Sequence, residues 1–402
     1  MRDFEKQRNI SLKDFSLDSM KKILILLGNP EKKLKFLHIA GTKGKTSISH
    51  YLADLLVLSG SKKVGLYTSP HLYHPEERIQ ISGKKISSSK LEELIEKIHA
   101  AALKNSLEIT YFETLTAAAF LYFAESETDW VVLETGLGGR LDATNTVFPE
   151  ASLITRIDKD HTRVLGKNLF KIAYEKLGIL KKNTPFFLSE QKKSIALFAR
   201  LYNFLFKKAL YTPLPSFKIK SLNQFYLISN HSHQITFQGP YFGALNFSFA
   251  LSVLLALEIS LPFSFSYSHQ VPGRFQIFPN GKGVIIFDGA HNPLAARKLI
   301  ESIQKDYPEK KWIYLLNTFP DKDFKKMILI LKTNALSFLV PEKEGFATEN
   351  ILSFLKEQKL SFQRIDPKTF SFSDNQNYCL TGSFYLFSDF KEKAEKPSKK
   401  PE

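Results

Sequence analysis

Apolar and polar positions along the chain fall into two rhythms. Short, mainly apolar runs at 37–40, 63–68, 130–135 and 151–157 read as strands. Between them, apolar residues recur with helical spacing at 17–27, 48–58, 86–105 and 169–180, and 114–124 is almost wholly apolar. These stretches predict helices, and 48–58 reads as strongly amphipathic. Gly28-Asn29-Pro30 stops the first helix, and Ser87-Ser88-Ser89 opens the one at 86–105. Strands alternating with helices imply a mostly parallel sheet covered on both faces.

The pattern changes further on. Residues 215–240 look like β-structure and 244–257 like another helix, while 262–282 carry Pro, Gly and Ser clusters around Val271-Pro272-Gly273. A second α/β alternation begins at Val284, continues in a helix after Pro293, and runs through strands near Trp312, Leu336, Phe362 and Tyr378. The expected domains are therefore 1–267, a linker at 268–283, and 284–390, the last of ordinary domain size. There is no internal repeat. From Lys391 the chain has five Lys, three Glu, two Pro and no large apolar residue, so 391–402 is expected to be a disordered tail.

Composition narrows the class. Hydrophobic residues make up 43% of the 402 positions, enough to bury real cores. No apolar run reaches the ~18–20 residues of a membrane span, and MRDFEKQRNI has no apolar signal core. A single cysteine, Cys379, excludes internal disulfides; it stands in an apolar run and reads as core. These features predict a cytoplasmic protein without a membrane partner. The net charge of +16 would draw polyanions. The lysines, however, are spread in pairs with no Arg-rich stripe, zinc-finger or RNP signature, so no nucleic-acid partner is expected.

The densest chemistry lies where the run at 37–40 stops at Gly41-Thr42-Lys43-Gly44-Lys45-Thr46-Ser47 and a helix begins. Backbone N–H groups of such a loop can point at a phosphate, at the positive end of a helix. Lys45 would add a mobile charge, and the Thr46 hydroxyl could hold Mg²⁺. Only two residues separate Gly41 from Gly44, where the common P-loop has four before its Gly-Lys, so on spelling alone a plain glycine turn remains open. Glu134 closes one apolar strand and opens ETGLGGRLDATN, at the strand end where open α/β sheets bind ligands. It either holds Mg²⁺ or is satisfied by backbone N–H groups in a turn. Asp160-His161 offers a metal ligand, a base or a loop histidine, and Ser69-Pro70-His71 a cleft residue or a proline turn. Lys176, mid-helix, reads by itself as solvated. Asp288-Gly289-Ala290-His291-Asn292-Pro293 marks another ligand edge, and also a turn in which Asn292 caps a helix with Pro293 at its first position.

Taken in order, several segments resemble the folylpolyglutamate synthase/dihydrofolate synthase family of the Mur ligase superfamily, across roughly residues 20–390. They are GNPEKKLKFLHIAGTKGKTS, YTSPHL with ERIQISGKKI, FETLTAAAFLYF, DWVVLETGLGGRLDATN, IDKDHTRVLG, IAYEKLGILKK, the PGR at 272–274, and IIFDGAHNP. The resemblance implies a Mur-ligase-like α/β fold: a P-loop ATP-binding domain with a mostly parallel sheet, plus a smaller C-terminal Rossmann-like α/β domain. It implies an ATP-dependent amide ligase, monomeric, that adds L-glutamate to dihydropteroate or a reduced folate through an acyl phosphate. By the same resemblance Gly41, Thr42, Lys43, Gly44, Lys45, Thr46 and Ser47 surround the ATP phosphates. Thr46 or Ser69, with Glu134, holds one Mg²⁺, and Glu134 with His161 a second. Lys176 matches a lysine that is often carbamylated and then faces that metal. Asn246, Arg274 and Asp288 match positions that hold ATP across a domain cleft. His291 matches one near the reacting centre and the incoming glutamate, and Ser383 in Gly382-Ser383-Phe384-Tyr385 one that touches glutamate. The chemistry thus rests on Lys45, His161, Lys176 and His291. The glycine loop departs from the family's spelling at Lys43 and Thr46, closer to the peptidoglycan-building relatives, and the pterin contacts stay unassigned. Two alternatives remain. One is a Mur-type ligase acting on a cell-wall precursor; the other is a non-catalytic ATP- or nucleic-acid-binding protein on this scaffold. GLGGRLDATN and FETLT weigh against the first. The joint presence of Lys45, Glu134, His161 and Lys176 weighs against the second.

Overall fold

The computed structural model describes residues 16–395 other than 208, 213, 223 and 224. The segment read for a signal core, and the tail from 396, lie outside the described residues. The chain divides into two compact units, Met1–Phe217 with Asn246–Pro262, and Lys218–Leu245 with Phe263–Glu402.

The first unit is built on an eight-stranded sheet. Its strands are β1 (Phe36–Ala40), β2 (Val64–Tyr67), β3 (Ile79–Ile81), β4 (Lys84–Lys85), β5 (Trp130–Glu134), β6 (Ala151–Ile154), β7 (Pro185–Leu188) and β8 (Leu210–Tyr211). They lie in the order β4-β3-β2-β5-β1-β6-β7-β8. Only β3 runs against the others: it pairs antiparallel with both β2 and β4. Every residue of β1 is buried, in keeping with its mainly apolar run. The chain leaves β1 toward β2, returns to β5 beside β1, then crosses to β6 on the other side. The carboxyl ends of β5, β1 and β6 therefore flank a topological switch point.

Several elements differ from the sequence reading for local reasons. The helix expected to be amphipathic at 48–58 spans Lys45–Leu58 and buries most of its residues, including Ser49 and His50. It lies against β2 and β5, and the Phe247 ring packs on Tyr51 at 5.5 Å. Covered on several sides, it buries the polar Ser47, Ser49 and His50 together with its apolar residues. The strand expected over 151–157 ends at Ile154, because the Arg156 carbonyl turns to accept from Thr42 N (2.9 Å) and Lys43 N (3.1 Å). The helix Tyr111–Glu125 starts earlier than 114: Thr110 and Glu113 form a reciprocal capping box.

The second unit holds two sheets. The smaller has β9 (Lys218–Leu222), β10 (Phe225–Ser229), β11 (Gln234–Phe237) and β12 (Ser264–Tyr267), in the order β12-β11-β10-β9. The larger has β13 (Gln276–Asn280), β14 (Gly283–Phe287), β15 (Trp312–Leu316), β16 (Ala335–Pro341), β17 (Phe362–Ile365) and β18 (Tyr378–Thr381). Their order is β13-β14-β18-β15-β16-β17, and only β13 is antiparallel. Cys379 on β18 is fully buried, as a core residue.

The expected boundaries shift here. The division between units falls within the helix Tyr241–Ala256, and 218–245 goes with the C-terminal part. Part of the expected linker is a strand: β13 forms a hairpin with β14, and Phe278 meets the Phe287 ring at 4.9 Å. The start of the expected disordered tail is helical as well. The helix Phe387–Glu395 buries Phe387, Phe390 and Ala394 along one stripe, while Lys393 Nζ donates to the carbonyls of Pro367, Lys368 and Phe370. Those contacts hold residues that composition alone would leave solvated.

Candidate active site

The glycine loop joins β1 to the helix Lys45–Leu58 in little space. A Cβ on Gly41 would lie 1.9 Å from Thr155 Oγ1, so only glycine lets the end of β1 pass the end of β6. Gly44 is the helix N-cap, at φ 87. That left-handed backbone favours glycine, and a Cβ there would meet Asn246 Oδ1 at 3.0 Å. No side chain caps this helix, and its first turn holds no acidic residue. The leading N–H groups are thus left for an anion.

Glu134, at the end of β5, is 1% exposed. Its Oε1 accepts from Thr46 Oγ1 at 3.0 Å and lies 3.9 Å from Lys45 Nζ. Its Oε2 accepts from the Ser69 backbone N–H at 3.4 Å. Lys45, Thr46, Ser69 and Glu134 are therefore brought together, Ser69 through its backbone. One carboxylate beside one hydroxyl fits Mg²⁺, which takes few protein ligands and completes its shell with phosphate oxygens and water. Among the described residues no group of three or more His, Cys, Asp and Glu gathers as a metal cage. His161 is exposed, with a left-handed backbone (φ 47), and its N–H donates to Asp160 Oδ1. Asp160 Oδ2 pairs with Lys43 at 3.1 Å. Thr42 Oγ1 donates to Asp158 O and accepts from Asp158 N (3.0 and 3.1 Å), tying the glycine loop to the segment after β6. Ser47 is buried.

Lys176 is 4% exposed, not the solvated side chain that its mid-helix position implies. Its Nζ donates to the Gly41 carbonyl at 2.8 Å. Burial, with the Lys45 charge nearby, pushes the amine down to about 7. The helix Leu169–Leu177 that carries it is fastened to the GLGGRLDATN loop. Arg140 Nε and Nη2 donate to the Glu175 carboxylate at 3.1–3.2 Å, and Arg140 N donates to Glu175 O at 2.7 Å. Asp142 braces the loop from inside. Its Oδ2 accepts from Leu137 N (2.8 Å) and its Oδ1 from Thr144 Oγ1 (2.6 Å), and Thr144 Oγ1 meets His38 Nε2 at 2.9 Å. Burial raises the Asp142 pKa and pushes His38 down to about 3, so the imidazole stays neutral. Sequence reasoning singled out none of Arg140, Asp142 and Glu175. Two of them were visible as polar positions in an otherwise glycine-rich string.

In the second unit, Asp288 follows β14 and spends both oxygens on the backbone. Oδ2 accepts from Phe275 N at 2.9 Å and Oδ1 from Ala290 N at 3.0 Å. Burial raises its pKa. Gly289 leaves room for the Phe384 ring, which would lie 2.1 Å from a Cβ there. The Arg274 guanidinium stands 4.4 Å above the same ring. His291 Nδ1 is 2.8 Å from Gly289 O, which fixes the proton on Nδ1. Ser383 is buried, its Oγ accepting from Tyr385 N at 3.3 Å. Arg274, Asp288, His291 and Ser383 thus gather at the ends of β14 and β18.

Residues 39–211 match the Mur ligase middle domain, and residues 273–366 the Mur ligase glutamate ligase domain. The dihydrofolate synthase/folylpolyglutamate synthase of Bacillus subtilis (strain 168) is 30% identical over 423 aligned residues, which cover 94% of each chain. This chain belongs to the dihydrofolate synthase/folylpolyglutamate synthase family. It is an ATP-dependent acid–amino-acid ligase of the Mur-ligase-like α/β fold. Two solved structures support this membership. E. coli FolC in complex with DHPP and ADP has a TM-score of 0.80 and 26% identity, over 97% of this chain and 95% of that one. A bifunctional folylpolyglutamate synthase/dihydrofolate synthase with Mn, AMPPNP and L-glutamate bound has a TM-score of 0.77 and 27% identity, over 94% and 95%. The family domains divide the site residues between them. Lys45, Glu134, His161 and Lys176 fall in the middle-domain match, and Arg274, Asp288 and His291 in the glutamate-ligase match; Asn246 and Ser383 lie outside both.

Proposed function

We propose that this chain joins L-glutamate to dihydropteroate or to the glutamate of a reduced folate, as a cytoplasmic monomer. ATP converts the acceptor carboxylate to an acyl phosphate, and the glutamate amine then displaces phosphate, leaving ADP. One observation carries the reading: a buried Glu134 that receives Thr46 and faces Lys45 beside an uncapped helix N-terminus.

The barrier is charge crowding, since an anionic carboxylate must approach an anionic γ-phosphate. Lys45 and the N–H groups at the start of the helix Lys45–Leu58 offset that charge where it accumulates. Glu134 and Thr46 would hold Mg²⁺, which supplies further positive charge at the phosphoryl oxygens. The family resemblance assigns a second ion to Glu134 and His161. Burial pushes the Lys176 amine down to about 7, which makes its neutral form accessible near neutral pH. That neutral amine can attack CO₂, forming an N–C bond and releasing a proton to solvent, which would give the carbamate that the resemblance assigns to this position. His291, protonated on Nδ1, has Nε2 as the ring atom able to take a proton from the incoming amine.

The test is product mass. The protein is incubated with ATP, Mg²⁺, L-glutamate and either dihydropteroate or tetrahydrofolate. A gain of one glutamyl residue on the first is dihydrofolate synthase activity, and on the second folylpolyglutamate synthase activity. No gain on either, with ATP still bound, would turn the reading to a cell-wall precursor.

A further inference from the structure

The first unit carries a surface that the ligase reaction does not use. The helix Lys193–Tyr202 and its continuation Asn203–Lys207 bury Ile195, Ala199 and Tyr202 but turn large apolar side chains outward. Leu197 is 69% exposed, Leu201 52%, Phe204 76% and Phe206 68%. Leu210 follows on the edge strand β8 at 55%. Single exposed leucines are ordinary, but such side chains side by side mark an interaction surface. Behind them the Phe198 and Tyr202 rings meet at 6.3 Å, and the exposed Phe206 ring packs against Tyr202 at 5.4 Å.

The segment that forms this patch is basic. From Gln191 through Phe217 the chain contains five Lys and Arg and no Asp or Glu. Arg200 lies within the patch, its guanidinium 5.1 Å over the Tyr211 ring. Carboxylates on neighbouring elements are engaged, Glu175 with Arg140 and Asp158 with Lys192; Glu190 stands just before the helix. A second copy of the chain docked through the same patch would bring two basic faces together, and their like charges would oppose the contact. The two-residue edge strand offers little template for strand addition.

We propose that this face, centred on Phe204 and Phe206, docks the protein peripherally on an anionic lipid bilayer. Phe and Leu side chains enter the boundary between headgroups and acyl chains, and the flanking Lys and Arg meet lipid phosphates. This is surface contact and not insertion: among the described residues no helix is long and apolar enough to cross a membrane. It revises the expectation of no membrane partner, which rested on the lack of a spanning segment.

The experiment is co-sedimentation of the full chain with phosphatidylcholine vesicles, with and without phosphatidylglycerol, at low and high salt. Binding is expected with the anionic vesicles and should weaken with salt. Phe204→Ser/Phe206→Ser should abolish it. Arg200→Gln should lower the partition roughly fivefold, the share of one basic residue near an anionic surface. Both variants should keep the ATP-dependent activity of the unmodified chain in solution, which also reports that they fold. Absence of binding to anionic vesicles, or undiminished binding by the double variant, overturns the proposal. So does a dimer in sedimentation that the double variant abolishes while vesicles capture nothing.

Discussion

Two strand-to-helix turns in this chain look alike in sequence and are finished in opposite ways. Each follows a buried parallel strand and opens a helix of fourteen residues. At Lys45–Leu58 the N-cap is Gly44, no side chain satisfies the first N–H groups, and charged side chains crowd the entrance. At Pro293–Asp306 the N-cap is Asn292, whose Oδ1 accepts from Ala295 N at 3.0 Å, and Pro293 removes one donor outright. The first terminus is left unsatisfied and so can hold phosphate. The second is closed by its own residues, and the polar side chains the turn presents are Asp288 and His291. A helix N-terminus at a sheet edge is therefore an anion site only where the sequence withholds the cap.

The strongest break of that contrast is Lys45→Ala. It should lower kcat for ADP release roughly a hundred- to a thousandfold, the scale for removing one preorganised charge partner of a transition state. The melting temperature should fall only slightly, because Glu134 keeps Thr46 and the Ser69 N–H as partners when the 3.9 Å contact with Lys45 Nζ is lost. Near-normal turnover would take the phosphate site away from this loop. Gly44→Ala attacks the same terminus through the backbone. A residue at φ 87 carries strain of about 1–3 kcal/mol, and the new methyl would press on Asn246 Oδ1. KM for ATP should rise roughly tenfold, in line with one such strain of about 1.4 kcal/mol. An unchanged KM would mean that the loop opens at no cost, and that the uncapped end does not set phosphate affinity.

How much of this was legible follows from how local each feature is. The loop 41–47 and Glu134 announce themselves because a strand end, a glycine and a polar residue are neighbours in sequence. The alternation of strands and helices is equally local, so the α/β class was readable. Lys176 was not: its burial depends on the Gly41 carbonyl, 135 positions away, and its helix gives no sign of it. The same holds for Asn246 against Gly44. The strand at Gln276–Asn280 was hidden by the Pro and Gly around it, and the helix Phe387–Glu395 by its lysines, since both are stabilised by partners outside their own segment.

Lys176 sharpens the comparison by pH. Its amine titrates at about 7 in the folded chain and at about 10.4 unfolded. Between those values the unfolded state binds more protons, so this lysine makes stability rise with pH from about 7 toward 10. Below 7 the burial cost is borne in full. Lys176→Met removes the slope. In bicarbonate-free buffer the variant should melt several degrees higher than the unmodified chain at pH 7, with the gap closing toward pH 10. Parallel melting curves would mean that the amine is not held in a desolvated site.

The smallest effect comes from the closed terminus, and it decides whether closure is the whole account. Asn292→Ala deletes a side-chain cap and should cost about 1 kcal/mol of stability in the second unit, whereas Asn292→Gly should cost only a few tenths. If the cap only finishes the helix, KM values for ATP and glutamate stay where they were in both variants, and the loss is seen in the melting transition alone. If Asn292→Ala instead raises KM for glutamate by more than its stability loss accounts for, the amide is serving a ligand as well as the helix. The two termini would then differ in degree: one leaves its backbone to the substrate, the other lends a side chain that it also uses itself.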